Sequence, residues 1–375
     1  MKPSSEQVDV RERALLVQAI LGRQSREAAA ESLEELERLA DTAGAAVVGR
    51  VTQRRERAAP GLLIGEGKLA EIQLACRHGN ANLVIFDNDL SSVQVNNLDL
   101  ALGFKVIDRT ELILQIFARR ARSAEAQTQG ELAQLEYLVS RVPVSAQQQR
   151  FKGGIGMKGP GESPLQLRKA PMRRRIRDLR LKLEDIKQRR RRTRQRQPWP
   201  LVSLVGYTNA GKSTLMNALT AAEAYVDDRL FSTLDTKTRL LRLPNGRSVL
   251  LSDTVGFIRN LPHGLVACFR STLETASEAD LLLVVADASH PHVADHLAVV
   301  HATLAEVGAQ AVPRLLVINK CDTPAGAQAS GPLLAEHADA VPVSALTGRG
   351  LDALVAAVAE RLKDVLYSRH ADREP

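Results

Sequence analysis

A glycine-rich stretch in the second half of this 375-residue chain has the residue types and the spacing of a phosphate site. The segment GYTNAGKS, residues 206–213, follows the apolar run LVSLV and precedes a helical pattern. Its glycines let backbone N–H groups wrap a phosphate at the N-terminus of that helix, where the helix dipole favours negative charge. Its lysine neutralises phosphate oxygens, and its serine hydroxyl is a ligand for Mg²⁺. The residues of this predicted P-loop are Gly206, Asn209, Ala210, Gly211, Lys212, Ser213 and Thr214.

A second segment, at the end of another apolar run, identifies the base. LLVINKCD ends in the pattern Asn-Lys-x-Asp at residues 319–322. The Asp322 carboxylate accepts from N1–H and from the exocyclic amine of guanine, whereas adenine offers neither donor and would leave the carboxylate unpaired. Asn319 is expected to tie this loop to the P-loop, and the Lys320 stem to cover one face of the base. The pattern therefore predicts GTP and GDP as ligands.

A third segment, VPVSALTG at residues 341–348, follows the next strand and completes the predicted base site. The Ser344 side chain and the Ala345 amide are the groups expected to face guanine. Because these segments end strands in the order typical of nucleotide-binding sheets, they predict a doubly wound P-loop GTPase domain. In some related GTPases the asparagine at the Asn209 position helps to hold a monovalent cation such as K⁺, and the sequence leaves that role open.

Two further segments contain the groups predicted to contact the γ-phosphate and its metal. In DTVGF, which begins at Asp253, the carboxylate is placed to hold Mg²⁺ through water and the Gly256 amide to meet the γ-phosphate. Upstream, Thr233 is the predicted second hydroxyl ligand, with Thr236 and Thr238 as rivals. The predicted metal ligands are Ser213, Thr233 and Asp253. The predicted catalytic groups are Lys212, Thr233 and Gly256.

The position after this glycine raises a question about catalysis. Many nucleotide switches have a glutamine there that orients the attacking water, whereas this chain has Phe257. A phenyl ring cannot hydrogen-bond to water. The sequence therefore predicts slow intrinsic hydrolysis, with the water placed by the backbone, by a switch residue or by a partner.

Positive charge is concentrated in one segment. Residues 168–197 contain fifteen Lys or Arg and three Asp or Glu, a net charge of +12 in a chain whose total is +8. Such a run repels itself more than a solvated helix face normally does, and a nucleic-acid backbone supplies the missing counter-charge. Aromatic residues are 3% of the chain, which favours phosphate and shape contacts over base stacking. The residues predicted to bind RNA are Lys152, Lys158, Arg173, Arg174, Arg175 and Arg177.

The apolar patterns alternate between strand and helix spacing over most of the chain, which predicts an α/β fold. Strand-like runs at 45–51, 82–86 and 104–107 predict a small parallel sheet before the P-loop domain. Two apolar seams with 3-4-3 spacing predict an antiparallel helical hairpin whose tip is a glycine-rich loop at 151–164. The predicted segments are an N-terminal α/β domain (1–120), a helical hairpin with its tip loop and basic helix (121–197), the GTP-binding domain (198–366) and a tail (367–375).

Two other groups of residues are predicted to be structural. Asp108 and Glu111 resemble paired catalytic carboxylates, but their spacing after a strand predicts a helix N-cap and its capping-box partner. The histidines of HPHVADH, at positions 290, 292 and 296, open a helix and are predicted to be surface residues instead of metal ligands.

The composition bears on the compartment. The longest apolar runs, such as LLLVVA, have strand length and cannot span a bilayer. The first ten residues lack the apolar core of a secretory signal. Three cysteines without CxxC spacing fit a reducing environment. The sequence therefore predicts a cytoplasmic protein without a transmembrane segment, and we expect a monomer.

With these segments assembled, the chain resembles the HflX family of ribosome-associated GTPases. The quoted P-loop and DTVGF segments carry the resemblance together with IGEGKLAE, VIDRTELILQIFARRA, GELAQLEYL and the glycine loop GGIGMKGPGE that precedes the basic helix. The resemblance implies binding to the large ribosomal subunit and its RNA, with the hairpin tip reaching toward the peptidyl-transferase region. It also implies that some members split stalled ribosomes, and that a hydrophobic residue at the Phe257 position is normal.

The hairpin tip departs from the family pattern. Met157 and Lys158 replace a usual Thr-Arg pair, and Ser163 replaces a threonine. Pro164 and Pro171 are expected to interrupt a stretch that should be helical. These departures concern the contacts of the tip and leave the GTP chemistry unchanged.

The residues and the resemblance together predict a Mg²⁺-dependent GTP hydrolase that associates with the ribosome. We expect hydrolysis to be slow in the isolated protein and stimulated by the ribosome, and the GTP state to bind the large subunit and dissociate stalled or idle ribosomes. One alternative is a GTP-gated RNA-binding protein with little intrinsic hydrolysis. Another is a ribosome-assembly factor with the same chemistry.

Overall fold

The computed structural model describes residues 12–141, 164–195, 197–220, 230–231, 233, 237–259 and 275–365. The chain forms two compact units, Met1–Arg120 with Gly130–Arg180, and Ala121–Gln129 with Leu181–Pro375. The predicted α/β class is confirmed, whereas the predicted domain boundaries stay predictions. Within the described ranges, no helix has both the length and the hydropathy needed to cross a membrane.

The first unit is built on a four-stranded parallel sheet with strand order β2-β1-β3-β4. Its strands are β1 Arg13–Leu21, β2 Ala46–Arg55, β3 Leu83–Phe86 and β4 Lys105–Asp108. Its helices α1 to α4 are Arg26–Thr42, Glu66–His78, Ser92–Leu102 and Arg109–Arg120. The inner strands β1 and β3 are buried along most of their length, as expected when helices cover a parallel sheet.

The inner strand β1 was not among the predicted runs, although its sequence RALLVQAIL is largely apolar. A buried glutamine, Gln18, interrupts that run. Its side-chain amide donates to the Ala29 carbonyl (2.8 Å) and to the Asp87 carboxylate (2.9 Å). The Asp87 hydrogen bond allows a glutamine to be buried in this sheet. Because Asp87 lies 69 residues away, the local sequence pattern around Gln18 does not reveal this partner.

The carboxylates after β4 are structural, as predicted, but they do not form a capping box. Asp108 Oδ1 accepts from the Glu111 N–H (2.9 Å) and caps α4. The Glu111 carboxylate instead accepts from the Tyr137 hydroxyl (3.1 Å), and burial raises the pKa of Glu111. Arg141 forms an ion pair with Asp108. These contacts attach the end of the next helix, α5, to the edge of the sheet.

Helices α5 (Ala124–Arg141) and α6 (Pro164–Gln195) contact each other through ion pairs. Arg175 pairs with Glu131 and Arg180 with Glu136, each at 2.7 Å. The expectation that prolines interrupt α6 is wrong. Pro164 is its first residue, where no intrahelical N–H is needed, and Pro171 lies inside it at the cost of one backbone hydrogen bond.

The second unit contains a six-stranded sheet with order β10-β9-β8-β5-β7-β6. Its strands are β5 Leu201–Gly206, β6 Thr238–Arg242, β7 Ser248–Asp253, β8 Leu281–Asp287, β9 Arg314–Asn319 and β10 Val341–Pro342. Its helices α7 to α10 are Lys212–Thr220, Val293–Glu306, Pro324–Glu336 and Leu351–Arg361. Only β6 is antiparallel, joined to β7 by a tight turn in which Gly246 has φ 77°.

The other five strands of this sheet are parallel, so their carboxyl ends lie at one edge. Gly206, Asp253, Asp287 and Asn319 end β5, β7, β8 and β9. Ligands of doubly wound sheets bind outside this edge. The topology therefore gathers the predicted site residues from segments that are far apart in the sequence.

Candidate functional site

The P-loop connects the central strand β5 to helix α7, and two of its glycines have no room for a side chain. A Cβ on Gly206 would lie 2.3 Å from the Val285 carbonyl oxygen, and one on Gly211 would lie 2.2 Å from the Asn319 amide nitrogen. Gly211 also has φ +91°, a conformation that side chains disfavour. Glycine is therefore required at both positions because Val285 and Asn319 approach the loop closely, whether or not a phosphate is bound.

The P-loop lysine is buried at the centre of the loop. Lys212 Nζ donates to the carbonyl oxygens of Gly206 (3.1 Å) and Tyr207 (2.8 Å). Burial lowers the pKa of this ammonium to about 8, and the nearby Asp253 carboxylate partly offsets the effect. The loop thus concentrates one desolvated positive charge among backbone dipoles, which is what an anionic ligand requires.

The three predicted metal ligands converge on one point. Ser213 Oγ lies 2.7 Å from Thr233 Oγ1 and donates to Asp253 Oδ2 (2.6 Å), and Thr233 Oγ1 donates to the same oxygen (2.8 Å). Asp253 Oδ1 is buried and has no hydrogen-bond partner among the described residues. Two hydroxyls and a carboxylate with a spare acceptor are the oxygen ligands that Mg²⁺ prefers, so this donor set fits the ion.

The geometry separates the three candidate threonines. Thr233 is buried against Ser213 and Asp253, whereas Thr238 begins β6 and is exposed. Thr236 lies outside the described residues.

The DTVGF segment runs beside the P-loop and buries its phenylalanine. The Phe257 N–H donates to the Gly206 carbonyl (3.1 Å), and the Thr208 N–H donates to the Phe257 carbonyl (2.8 Å). The Phe257 side chain is 3% exposed. A Cβ on Gly256 would lie 2.7 Å from Thr208 Cα and 3.0 Å from Lys212 Nζ. The segment therefore contributes backbone to the site, and its aromatic ring belongs to the core.

The base-recognition loops are held together by one side chain. Asn319 Nδ2 donates to the Ala210 carbonyl (2.8 Å), and Asn319 Oδ1 accepts from the Ala345 N–H (3.0 Å). Asn319 thus ties its loop to the P-loop, in the way that the sequence suggested. The Ala345 amide is engaged by Asn319 here, so its contact with guanine stays a prediction.

The other base-recognition residues lie beside this link. Asp322 is exposed on the loop after β9. Lys320, at φ 63°, forms an ion pair with Asp287 at the end of β8 (2.6 Å). Ser344 is fully buried, and its hydroxyl accepts from the Thr347 N–H (3.1 Å). Asp287 was not predicted from the sequence as a site residue, although its position at the carboxyl end of β8 indicated that it would lie at the ligand edge of the sheet.

Tyr207 of the P-loop and residues outside that loop form a second set of contacts that sequence reasoning missed. The Tyr207 ring stacks on His296 with centroids 3.7 Å apart and planes 4° from parallel. The Arg259 N–H donates to the Tyr207 hydroxyl (2.9 Å), and its guanidinium pairs with Asp295 (3.0 Å). His296 is therefore a half-buried packing residue and not the surface histidine expected. Burial, with His290 and Arg259 nearby, lowers its pKa to about 3.

The arginines predicted to bind RNA lie on α6, where they fall into two groups. Arg173, Arg174 and Arg177 are exposed and have no ion-pair partner among the described residues. Arg175 is also exposed, but its guanidinium donates twice to Glu131 (2.7 and 2.8 Å). Lys152 and Lys158 lie outside the described residues. Asn209 is exposed and Thr214 is partly buried. The roles of both residues in nucleotide binding stay predictions.

Comparisons with known proteins cover nearly the whole chain. Family models described as GTP-binding GTPase N-terminal, GTP-binding GTPase Middle Region and 50S ribosome-binding GTPase match residues 30–118, 120–197 and 201–320. The GTPase HflX of Caldanaerobacter subterraneus subsp. tengcongensis is 49% identical over 316 residues, which cover 83% of this chain and 73% of that protein. This chain belongs to the HflX family of GTPases. The Escherichia coli K12 GTPase HflX is 41% identical over 353 residues, 92% of this chain and 82% of that one.

A solved structure has the same fold. The crystal structure of SsGBP in complex with GDP is 26% identical, has a TM-score of 0.52, and covers 95% of this chain and 99% of that chain. The predicted fold class and the HflX resemblance are confirmed. As a member of this family, the protein is a GTP hydrolase that binds guanine nucleotides in a P-loop domain.

Replacing the buried phenylalanine tests whether this position takes part in hydrolysis in HflX. We expect Phe257→Gln to leave GTP turnover no faster than in the wild type, because the side chain at this position faces the core. The variant should lower the free energy of unfolding by about 2–4 kcal/mol, since it loses apolar burial and buries an amide. Phe257→Leu is the matched control, with a loss below about 1.5 kcal/mol. Faster turnover in the glutamine variant would contradict this interpretation.

A substitution in the base loop tests nucleotide specificity. Asp322→Asn should weaken GTP binding by at least about 100-fold, because an amide cannot accept from both N1–H and the exocyclic amine of guanine. Xanthine has a carbonyl oxygen in place of that amine, so XTP should become the preferred ligand. Calorimetric titration with both nucleotides measures the change. Asp339→Asn, at a side chain that is 86% exposed, is the control, and equal GTP affinity in both variants would refute the role of Asp322.

Proposed function

We propose that this GTPase binds the large ribosomal subunit through its RNA in the GTP state and dissociates stalled or idle ribosomes. The observation that carries the proposal is the exposed basic face of α6. Support also comes from the family model that matches residues 201–320, whose description is 50S ribosome-binding GTPase. We further propose that the protein acts as a cytoplasmic monomer associated with ribosomes.

The two groups of arginines on α6 suggest different roles. Exposed ion pairs such as Arg175–Glu131 contribute little stability but occupy the guanidinium. Arg173, Arg174 and Arg177 have their charge available for phosphate oxygens, which guanidinium groups bind in bidentate fashion. A binding mode that relies on phosphates suits a chain with few aromatic residues.

The site supports a division of labour in GTP hydrolysis. Lys212 would neutralise the β- and γ-phosphates, and the Gly256 amide would contact the γ-phosphate. Ser213, Thr233 and Asp253 would hold Mg²⁺, which supplies charge neutralisation at the phosphates when bound. Asp322 would recognise guanine, while Asn319 holds its loop against the P-loop and Ser344 orders the following loop through the Thr347 N–H. Asn209 remains a proposed contributor to a K⁺ site.

Sedimentation with purified ribosomal particles tests the proposed partner. The protein loaded with a non-hydrolysable GTP analogue should cosediment with large subunits and not with small ones, and GDP should release it. With GTP, intact ribosomes should separate into subunits. Absence from the large-subunit fraction would overturn the proposal. Binding confined to immature particles would favour the assembly factor, and binding without GTP turnover would favour the GTP-gated RNA-binding protein.

Paired variants test the basic face of α6. Arg173→Gln with Arg174→Gln should weaken large-subunit binding and reduce the slope of log affinity against log salt by about 1.4–1.8, because each lost phosphate contact removes about 0.7–0.9. Arg175→Gln with Arg180→Gln removes the same charge from ion-paired positions and should change the slope less. An equal slope in both variants would show that these arginines act only through net charge.

A further inference from the structure

The burial of Phe257 leaves GTP hydrolysis without an identified group to orient water. At 3% exposure the ring is part of the core, and it has no hydrogen-bonding atom. Hydrolysis nevertheless requires that the attacking water be held in line with the bond that breaks. A polar group other than the Phe257 side chain must then hold this water.

Thr208 of the P-loop lies where Gly256 and Lys212 meet. Thr208 follows Gly206 by two residues, and its N–H donates to the Phe257 carbonyl (2.8 Å). A Cβ on Gly256 would approach Thr208 Cα (2.7 Å), the Thr208 methyl carbon Cγ2 (2.8 Å) and Lys212 Nζ (3.0 Å). Thr208 therefore borders the same small space as the two groups assigned to the γ-phosphate.

The Thr208 hydroxyl also lacks a partner within the described part of the chain. Its Oγ1 is buried and makes no hydrogen bond with any described residue. Buried hydroxyls are normally paired, and an unpaired one carries a desolvation cost that a folded protein seldom accepts without a reason. In a loop that wraps phosphate, the bound nucleotide can supply the missing hydrogen-bond partner of this hydroxyl.

The backbone on both sides of Thr208 is held in place. Tyr207 is fixed by its stack on His296 and by the hydrogen bond from the Arg259 N–H. On the other side, the Ala210 carbonyl accepts from Asn319. A group that must meet a water molecule within a few tenths of an ångström needs this kind of support.

We propose that the Thr208 hydroxyl contacts the γ-phosphate and the attacking water in GTP hydrolysis. A hydroxyl has one donor and two acceptor lone pairs, so it can donate to a γ-phosphate oxygen while it accepts from water. The water oxygen forms the new bond to the γ-phosphorus, and the bond to the bridging oxygen breaks with its electron pair leaving on GDP. The protons of the water end on inorganic phosphate and solvent.

The other polar groups near this space are less suited to the task. Thr233 and Ser213 share their hydroxyls with Asp253. The protonated Lys212 ammonium has no lone pair with which to accept from water. Asn209, the next residue, is exposed.

Three substitutions at one position test the proposal in single-turnover hydrolysis by the isolated protein. Thr208→Val removes the hydroxyl and keeps the shape, and should lower the hydrolysis rate by about 100–1,000-fold, in the range for a lost transition-state contact. Thr208→Ser and Thr208→Ala both lose the methyl group and differ by one oxygen. The serine variant should stay within about threefold of the wild type, and the alanine variant should fall with the valine variant.

Two further measurements separate catalysis from folding. GDP affinity should change by less than about threefold in all three variants, because GDP has no γ-phosphate. The melting temperature of the valine variant without nucleotide should equal or exceed that of the wild type, since an unpaired buried hydroxyl has been removed. Hydrolysis by the valine variant within twofold of the wild type would overturn the proposal, as would equal losses in the serine and alanine variants. Should the valine variant fail to fold, the serine and alanine pair decides alone.

Discussion

The nucleotide site depends on the buried side-chain amide of Asn319. Its nitrogen donates to the Ala210 carbonyl and its oxygen accepts from the Ala345 N–H, so one planar group sets the spacing of three loops. Asn319 and Ala210 are 109 residues apart in the sequence. The approach is close enough that a side chain at Gly211 would collide with the amide nitrogen. Phosphate recognition and base recognition therefore share one hydrogen-bonded support, and neither loop can shift without disturbing the other.

Backbone contact between the P-loop and the DTVGF segment imposes a second constraint. The two hydrogen bonds between these segments bring Gly256 against Thr208 and Lys212, and the same pairing turns the Phe257 ring into the core. A residue that looks like a replaced catalyst in the sequence is a packing residue in the fold. Its position supplies peptide groups to the site, and its side chain belongs to the core.

The basic helix illustrates how one composition serves two purposes. Some arginines of α6 join it to α5 through carboxylates, and others face solvent without such partners in the described part of the chain. Exposed ion pairs are weak individually, but several along one helix hold its register against its neighbour. The unpaired arginines then lie on a surface whose orientation the paired ones maintain.

The sequence by itself determined the α/β class, the P-loop and the guanine-specific loop, because their spacing is dictated by the ligand and by local backbone geometry. It also indicated Ser213, Thr233 and Asp253, which the fold brings within hydrogen-bonding distance. Tertiary structure alone decided that Phe257 is buried, that Tyr207 stacks on His296 and that β1 is an inner strand. It also decided that Pro171 lies inside a continuous helix. Those features depend on partners tens of residues away or on packing that offsets a lost hydrogen bond. Neither cause produces a periodic pattern in the sequence.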